Sequence, residues 1–156
     1  MKEIRTIEEA KALEGVEVGV SDWVVLDQER INRFAEATDD FQWIHVDAER
    51  AARELPAGKT IAHGYLTLSL IPALTNNFVR VRNLERAINF GSNKVRYYAM
   101  VPVGSRVRAR TVLLQARKRG NALHLTSRTT VEIEGERKPA CVAETIGVFF
   151  QRADQD

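Results

Sequence analysis

AHGYLTLSLIPALTNNF, residues 62–78, contains no aspartate, glutamate, lysine or arginine. Its apolar side chains would lie on all sides of a helix, which is typical of a helix enclosed by the rest of a protein. The stretch therefore predicts a buried helix, covered by a sheet or by a second subunit. Pro72 predicts a kink or an irregular turn within it, because proline cannot donate a helical hydrogen bond.

After about residue 80 the hydrophobic period becomes two, which indicates strands. Arginines 106, 108 and 110 fall on one face of a strand, and Val107, Ala109 and Thr111 fall on the other. Residues 122–133 alternate likewise, RGNAL and EGERKP are typical of hairpin turns, and residues 139–151 form a last strand. About four antiparallel strands around one apolar helix predict the hotdog arrangement, an α+β fold.

The first 60 residues predict shorter elements. Residues 19–26 are rich in β-branched and aromatic types and indicate a strand. A helix follows, capped by Asp27 and ending near Thr38, and a second helix at 47–55 has Asp47 as its cap.

The composition of the chain limits the classes of protein to which it could belong. The chain has 156 residues, of which 44% are hydrophobic and 28% charged, so we expect one domain over 1–156 with a core at about 15–150. The net charge of +2 is too small to indicate a nucleic-acid partner. Cys141 is the single cysteine, so an intrachain disulfide is excluded and a cytoplasmic protein is favoured. We interpret Cys141 as a small core residue. We expect neither a signal peptide nor a membrane span.

TDDFQWIH, residues 38–45, places Asp40 close to His45 with Phe41 and Trp43 between them. Burial raises the pKa of a carboxyl group and lowers that of an imidazole, whereas mutual attraction opposes both shifts. Such a pair can exchange protons with a bound water near neutral pH. The alternative is a turn after a helix, with a structural histidine beneath it.

Gly64 stands where the buried helix begins. A helix start presents unpaired N–H groups, and glycine lets a ligand carbonyl approach the backbone closely. The position therefore suits an oxyanion site for a thioester. The alternative is that Gly64 only permits a tight turn.

Taken together, ATDDFQWIHVDAERA (37–51) and IAHGYLTLS (61–69) resemble the MaoC-like (R)-specific enoyl-CoA hydratases, a hotdog family. The family signature is approximately D-x-N-P-[LIV]-H-x-D followed by H-G at a helix start. Asp40, Ile44, His45 and Asp47 match it, whereas Gln42 and Trp43 replace the usual Asn and Pro. INFGSNKVRYYAMVPVGSRVR (88–108) resembles a strand segment of the family, so the resemblance spans roughly residues 15–150.

The resemblance implies that water is added to a trans-2-enoyl-CoA to give the (R)-3-hydroxyacyl-CoA. Asp40 and His45 would activate the water, and the Gly64 N–H would polarise the thioester carbonyl. No metal or redox cofactor is implied. The partners would be an acyl thioester, of CoA or of an acyl carrier protein, and a second copy of the chain in a homodimer.

Substrate contacts are expected from Tyr65, Ser69, Asn89, Phe90 and Lys94. His63 is expected to pack or to make an indirect hydrogen bond at the site, and a subset of the arginines could meet CoA phosphates. Two other functions stay open at this point. One is a hotdog acyl-CoA thioesterase, and the other is a domain that binds acyl-CoA without catalysis.

Overall fold

The computed structural model describes residues 1–152. Its strands are β1 Lys2–Ile4, β2 Glu17–Val20, β3 Val24–Val25, β4 Val79–Val81, β5 Leu84–Tyr97, β6 Arg106–Arg119, β7 Ala122–Ile133 and β8 Cys141–Gln151. Its helices are α1 Ile7–Lys11, α2 Gln28–Thr38, α3 Trp43–Val46, α4 Ala48–Glu54, α5 Gly64–Ser69 and α6 Ile71–Thr75.

The main sheet has the order β2-β6-β7-β8-β5, and β3 also pairs with β6. All its pairings are antiparallel, so the four long strands predicted after residue 80 are confirmed. The alternation in β6 and β7 buries Val107, Ala109, Leu123 and Leu125 as expected. In β5, by contrast, all residues except the half-buried Val95 are exposed, because this strand forms one edge of the sheet.

The predicted central helix is present as two short helices. α5 ends at Ser69 and α6 begins at Ile71, with Pro72 in its first turn. Proline has no N–H to donate to the carbonyl four residues earlier, so the helix stops and restarts. Leu66, Thr67, Ile71 and Leu74 are buried. The opposite face, with Tyr65, Ser69, Pro72 and Ala73, is exposed, so a single chain covers only one side of this segment.

The two predicted N-terminal helices are confirmed with their caps. The Asp27 side chain accepts a hydrogen bond from the Arg30 N–H at 2.9 Å, and Asp47 accepts one from the Arg50 N–H at 2.9 Å. These are local interactions between residues three apart, which is why the sequence predicts them.

The prediction of one continuous strand at residues 19–26 was wrong. The chain forms β2 and β3 instead, separated at residues 21–23. The Ser21 hydroxyl accepts a hydrogen bond from the Ala109 N–H at 2.9 Å, so a side-chain oxygen occupies a place in the ladder that a carbonyl would hold. The interruption depends on a residue 88 positions away.

Three further elements were not predicted: α1, α3 and the parallel pair β1–β4. Among the described residues, no helix has the length and apolar character needed to cross a membrane.

Candidate active site

Asp40 and His45 are brought together by the end of α2 and by α3. Asp39 adopts the left-handed conformation, with φ 56°, and ends α2. The Asp40 N–H still donates to the Ala35 carbonyl at 3.2 Å, which places Asp40 just beyond the helix. α3 then presents His45, whose ring turns inward and is only 6% exposed.

The tautomer of His45 follows from its hydrogen bond. Its Nδ1 lies 2.7 Å from the Ile61 carbonyl oxygen. A carbonyl can only accept, so Nδ1 carries the proton and a neutral ring has its lone pair on Nε2. His45 is therefore set up to accept a proton through Nε2.

Gln28 and Thr60 hold the backbone around His45. The Gln28 side-chain amide donates to the His45 carbonyl at 2.8 Å and accepts from the Thr60 hydroxyl at 2.5 Å. The Ile61 N–H donates to the Ile44 carbonyl at 3.0 Å, so residues 60–61 run alongside α3. Sequence reasoning missed Gln28, Thr60 and Ile61 in these roles, because nothing local distinguishes them.

Burial lowers the pKa of His45, and the nearby His63 lowers it further, whereas the Ile61 hydrogen bond and Asp40 act in the opposite direction. Of the two opposing effects expected for the imidazole, burial therefore outweighs the attraction of Asp40. The expectation that Asp40 is buried as well was wrong for a single chain. Asp40 is exposed, and so is Phe41 at 55%, because both follow the end of α2 at the surface.

A cavity of about 360 Å³ opens beside His45. Its lining is mainly apolar and includes Ile44, Ile61, Ala62, Gly64, Thr67, Tyr97, Tyr98, Met100 and Val101. The Thr67 hydroxyl donates to the Gly64 carbonyl at 2.6 Å, so it is not free to contact a ligand as a donor. The space suits an apolar acyl group that enters beside the imidazole.

Gly64 begins α5 at the wall of this cavity. Its N–H makes no hydrogen bond with residues 1–152, as expected for the first turn of a helix. A Cβ at this position would lie 3.1 Å from the Tyr97 ring. A side chain here would require the Tyr97 ring to shift by a few tenths of an ångström, so packing by itself favours glycine.

His63 lies between these groups. It is 2% exposed, its Nε2 is 3.0 Å from the Asp40 carbonyl oxygen, and its ring stacks on that of His45 with 3.7 Å between centroids. One carboxylate oxygen of Asp40 and one ring nitrogen of each histidine lie within 4.8 Å of one another. The two stacked rings have nearly parallel planes, so their in-plane lone pairs do not converge on one cation.

The five residues predicted to contact substrate do not form one cluster in the single chain. Tyr65 is 69% exposed, with its ring 6.2 Å from that of Tyr97 at the cavity. Ser69 is exposed at the end of α5. Asn89, Phe90 and Lys94 lie along the exposed edge strand β5.

Arg106, Arg108 and Arg110 of β6 point to the outer face of the sheet, where they pair with acidic side chains. Arg106 pairs with Glu134, and Arg108 and Arg110 both bind Glu132, at 2.6 and 2.9 Å. Their charges are therefore largely matched within the sheet, which disfavours them as the CoA phosphate ligands.

Comparison with known proteins identifies the family. The family model described as MaoC like domain matches residues 9–135. The 3-hydroxyacyl-thioester dehydratase Z of Mycobacterium tuberculosis (strain ATCC 25618 / H37Rv) is 52% identical over 147 residues, which cover 94% of this chain and 97% of that protein. Nodulation protein N of Rhizobium meliloti (strain 1021) is 43% identical over 92% of this chain and 90% of its own length.

Solved structures agree on the fold. The R-hydratase PhaJ1 from Pseudomonas aeruginosa aligns with a TM-score of 0.69 and 20% identity, covering 89% of this chain and 83% of that one. The (R)-hydratase from A. caviae aligns with a TM-score of 0.63 and 22% identity, covering 83% and 95%. These likenesses confirm the hotdog fold. The chain therefore belongs to the MaoC-like dehydratase family and is a hydro-lyase.

Proposed function

We propose that this enzyme adds water to a trans-2-enoyl-CoA to give the (R)-3-hydroxyacyl-CoA, and catalyses the reverse dehydration. One observation carries the proposal: the Asp40 carboxylate lies within 4.8 Å of a ring nitrogen of His45, and His45 lines the same apolar cavity as Gly64. The relative named 3-hydroxyacyl-thioester dehydratase Z supports an acyl thioester as the substrate class.

A single water fits between the two catalytic side chains. A carboxylate oxygen of Asp40 and a ring nitrogen of His45 lie within 4.8 Å of each other, and a water can span that gap with two hydrogen bonds of about 2.8 Å each. Asp40 and the His45 Nε2 would each accept a hydrogen bond from one of its O–H groups. The water's lone pair is then directed away from both, towards C3 of an enoyl group in the cavity.

The reaction balances with one water. The water oxygen forms a bond to C3, and the C2–C3 double bond shifts electrons towards the thioester carbonyl. The Gly64 N–H stabilises the negative charge on that oxygen. The proton lost by the water is held by the Asp40–His45 pair and is delivered to C2. Because both groups act from one side, the two additions occur on the same face.

The competing thioesterase reaction would use the same residues for attack on the carbonyl carbon. We expect crotonyl-CoA to lose its conjugated absorbance in the presence of the enzyme, without release of free thiol. The measurement is ultraviolet absorbance in parallel with a thiol reagent. Thiol release at the rate of absorbance loss would contradict the proposal and favour the thioesterase.

We also propose that the enzyme is a homodimer joined along β5. This strand has 14 residues, pairs on one side only with β8 among the described residues, and exposes Ile88 and Phe90 at 46% and 65%. Long exposed edges favour pairing with another chain. Antiparallel pairing about a two-fold axis would place the start of one β5 beside the end of the other, near the cavity.

The test is to introduce a charged side chain on this edge strand. Ile88→Lys should dissociate the dimer and abolish turnover, because the cavity would then lose its second wall. Val25→Lys is the matched control, since Val25 is 47% exposed on another strand. Light scattering and activity across a dilution series provide the measurements. A fully active species at the 17.6 kDa monomer mass would refute the dimer.

Two further assignments accompany this function. Asn89, Phe90 and Lys94 would contact the substrate bound in the partner subunit, which explains their distance from the cavity of their own chain. We place the enzyme in the cytoplasm, where its buried, unpaired Cys141 would stay reduced.

A further inference from the structure

His63 lies at the centre of the site, yet the reaction described above gives it no task. It immediately precedes α5, where a side chain commonly caps the helix, but it makes no such hydrogen bond. Its side chain instead turns away from its own helix, towards the segment between α2 and α3. A buried polar side chain that leaves its local partner unused requires another explanation.

Three parts of the site depend on this one residue. The Nε2–H donates to the Asp40 carbonyl at 3.0 Å, since that carbonyl can only accept. The ring stacks on His45 at 3.7 Å with 24° between the planes, and Phe34 packs against it at 4.9 Å. Gly64, with its unpaired N–H, is the next residue. A shift of the His63 ring would therefore displace both catalytic side chains and the oxyanion donor.

The other ring nitrogen restricts the charge of His63. Because Nε2 carries the proton, a neutral ring has its lone pair on Nδ1, which has no hydrogen-bond partner within residues 1–152. A proton there would create a cation stacked on His45. Two like charges at this separation repel strongly, so the two rings cannot easily be charged together. His45 can take a proton from water only while His63 stays neutral.

We propose that His63 is a positioning residue for the hydro-lyase reaction, a neutral ring protonated on Nε2 that anchors Asp40 through its main chain and keeps the His45 ring oriented. The proposal rests on the use of Asp40 and His45 as the catalytic pair.

The pH dependence follows from burial. Burial is the main cause that lowers the His45 pKa, whereas the Ile61 hydrogen bond and Asp40 oppose the shift. Tyr97 and Tyr98 line the cavity, and Cys141 lies opposite Tyr97 in the sheet; burial raises the pKa of Tyr97 and of Cys141, to about 11 for Cys141. Because a neutral His63 adds no charge to the site, replacing it with another uncharged side chain of similar size leaves the burial of His45 in place. The acidic limb of kcat/KM, which reports the deprotonation of His45, should therefore stay close to its wild-type pH.

Two variants separate the contacts of His63. His63→Gln keeps an amide N–H that reaches the position of Nε2, whereas His63→Phe keeps the flat ring and loses the donor. Both should leave the acidic limb of kcat/KM close to its wild-type pH, because neither substitution changes the charge beside His45. The Phe variant should also lose kcat by roughly tenfold to a hundredfold at its optimum, because the Asp40 carbonyl loses its partner, and the Gln variant should lose clearly less.

The wild-type protein provides an independent test that needs no variant and no substrate. Long-range ¹H–¹⁵N NMR of the imidazole rings should show His63 protonated on Nε2 and His45 on Nδ1 at neutral pH. A His63 ring protonated on Nδ1 would overturn the proposal, as would an acidic limb that moves to higher pH in both variants, because that shift would show that a charged His63 had been removed. Equal kcat losses in the Gln and Phe variants would also overturn it. The NMR result holds whichever thioester the enzyme accepts, so it distinguishes failure of this inference from failure of the proposed substrate.

Discussion

Replacing Asp40 with Asn, or His45 with Gln, is expected to lower the kcat of hydration at least about a hundredfold, the usual scale of acid–base catalysis. Asn cannot hold a negative charge or take a proton from water. Gln at position 45 has no imidazole lone pair to replace the Nε2 that the Ile61 hydrogen bond leaves free. The measurement is the steady-state rate with crotonyl-CoA, with circular dichroism to establish folding.

Asp39→Asn is the matched control for this experiment. Asp39 is adjacent to Asp40 and equally exposed, but it ends α2 in a left-handed conformation that Asn adopts readily. We expect its kcat to remain close to that of the wild type. If the Asp40 and His45 variants fold and also keep near-normal turnover, the assigned chemistry is wrong.

The second large effect is expected at Gly64. Gly64→Pro removes the proposed oxyanion donor, and the loss of one such donor typically costs about 2.7–4 kcal/mol of transition-state stabilisation. The backbone tolerates proline here, since Gly64 is the first residue of α5 and His63 has the extended φ of −59° and ψ of 138° that suit a residue before proline. The reduction should appear mainly in kcat.

The variant Gly64→Ala separates the effect of losing the N–H donor from the effect of a Cβ packed against Tyr97. Both variants place a Cβ about 3.1 Å from the Tyr97 ring, but only alanine keeps the N–H. We expect alanine to lose some activity through this contact and proline to lose much more. If alanine and proline are equally impaired, packing alone explains the glycine, and the oxyanion role is refuted. An acyl-CoA complex with its thioester oxygen far from the Gly64 nitrogen would refute it as well.

The pair of Asp40 and His45 shows which features of the site can be predicted from the sequence. Asp40 and His45 are five residues apart, so a loop and one turn of helix bring them together without long-range help. The pattern does not reveal which ring nitrogen of His45 is available, because the Ile61 carbonyl that determines the tautomer is 16 residues further on. Gln28 supports His45 from 17 positions earlier in the chain, and Thr60 holds Gln28 across 32 positions.

The position of β5 at the edge of the sheet could not be predicted from the sequence, although the strand itself could. The local pattern of residues 84–97 indicates a strand correctly, but a strand pattern does not specify whether a second strand covers each side. Only the order of the sheet leaves β5 at the edge, with its side chains exposed on both faces. The interruption of the central helix was foreseeable from Pro72, but the exposed face that includes Tyr65 and Ser69 was not.

By itself the sequence determined the elements that depend on neighbouring residues: the capped helices α2 and α4, the alternating strands β6 and β7, and the acid–imidazole motif. Hydrogen bonds between residues three or four apart and the periodicity of side chains are local, so both can be predicted from the sequence. The tertiary structure alone decided the stacking of His63 on His45, the free N–H of Gly64 beside Tyr97, and the exposed edge of β5. Each of these depends on where a distant part of the chain comes to lie, and packing rather than local propensity determines that position.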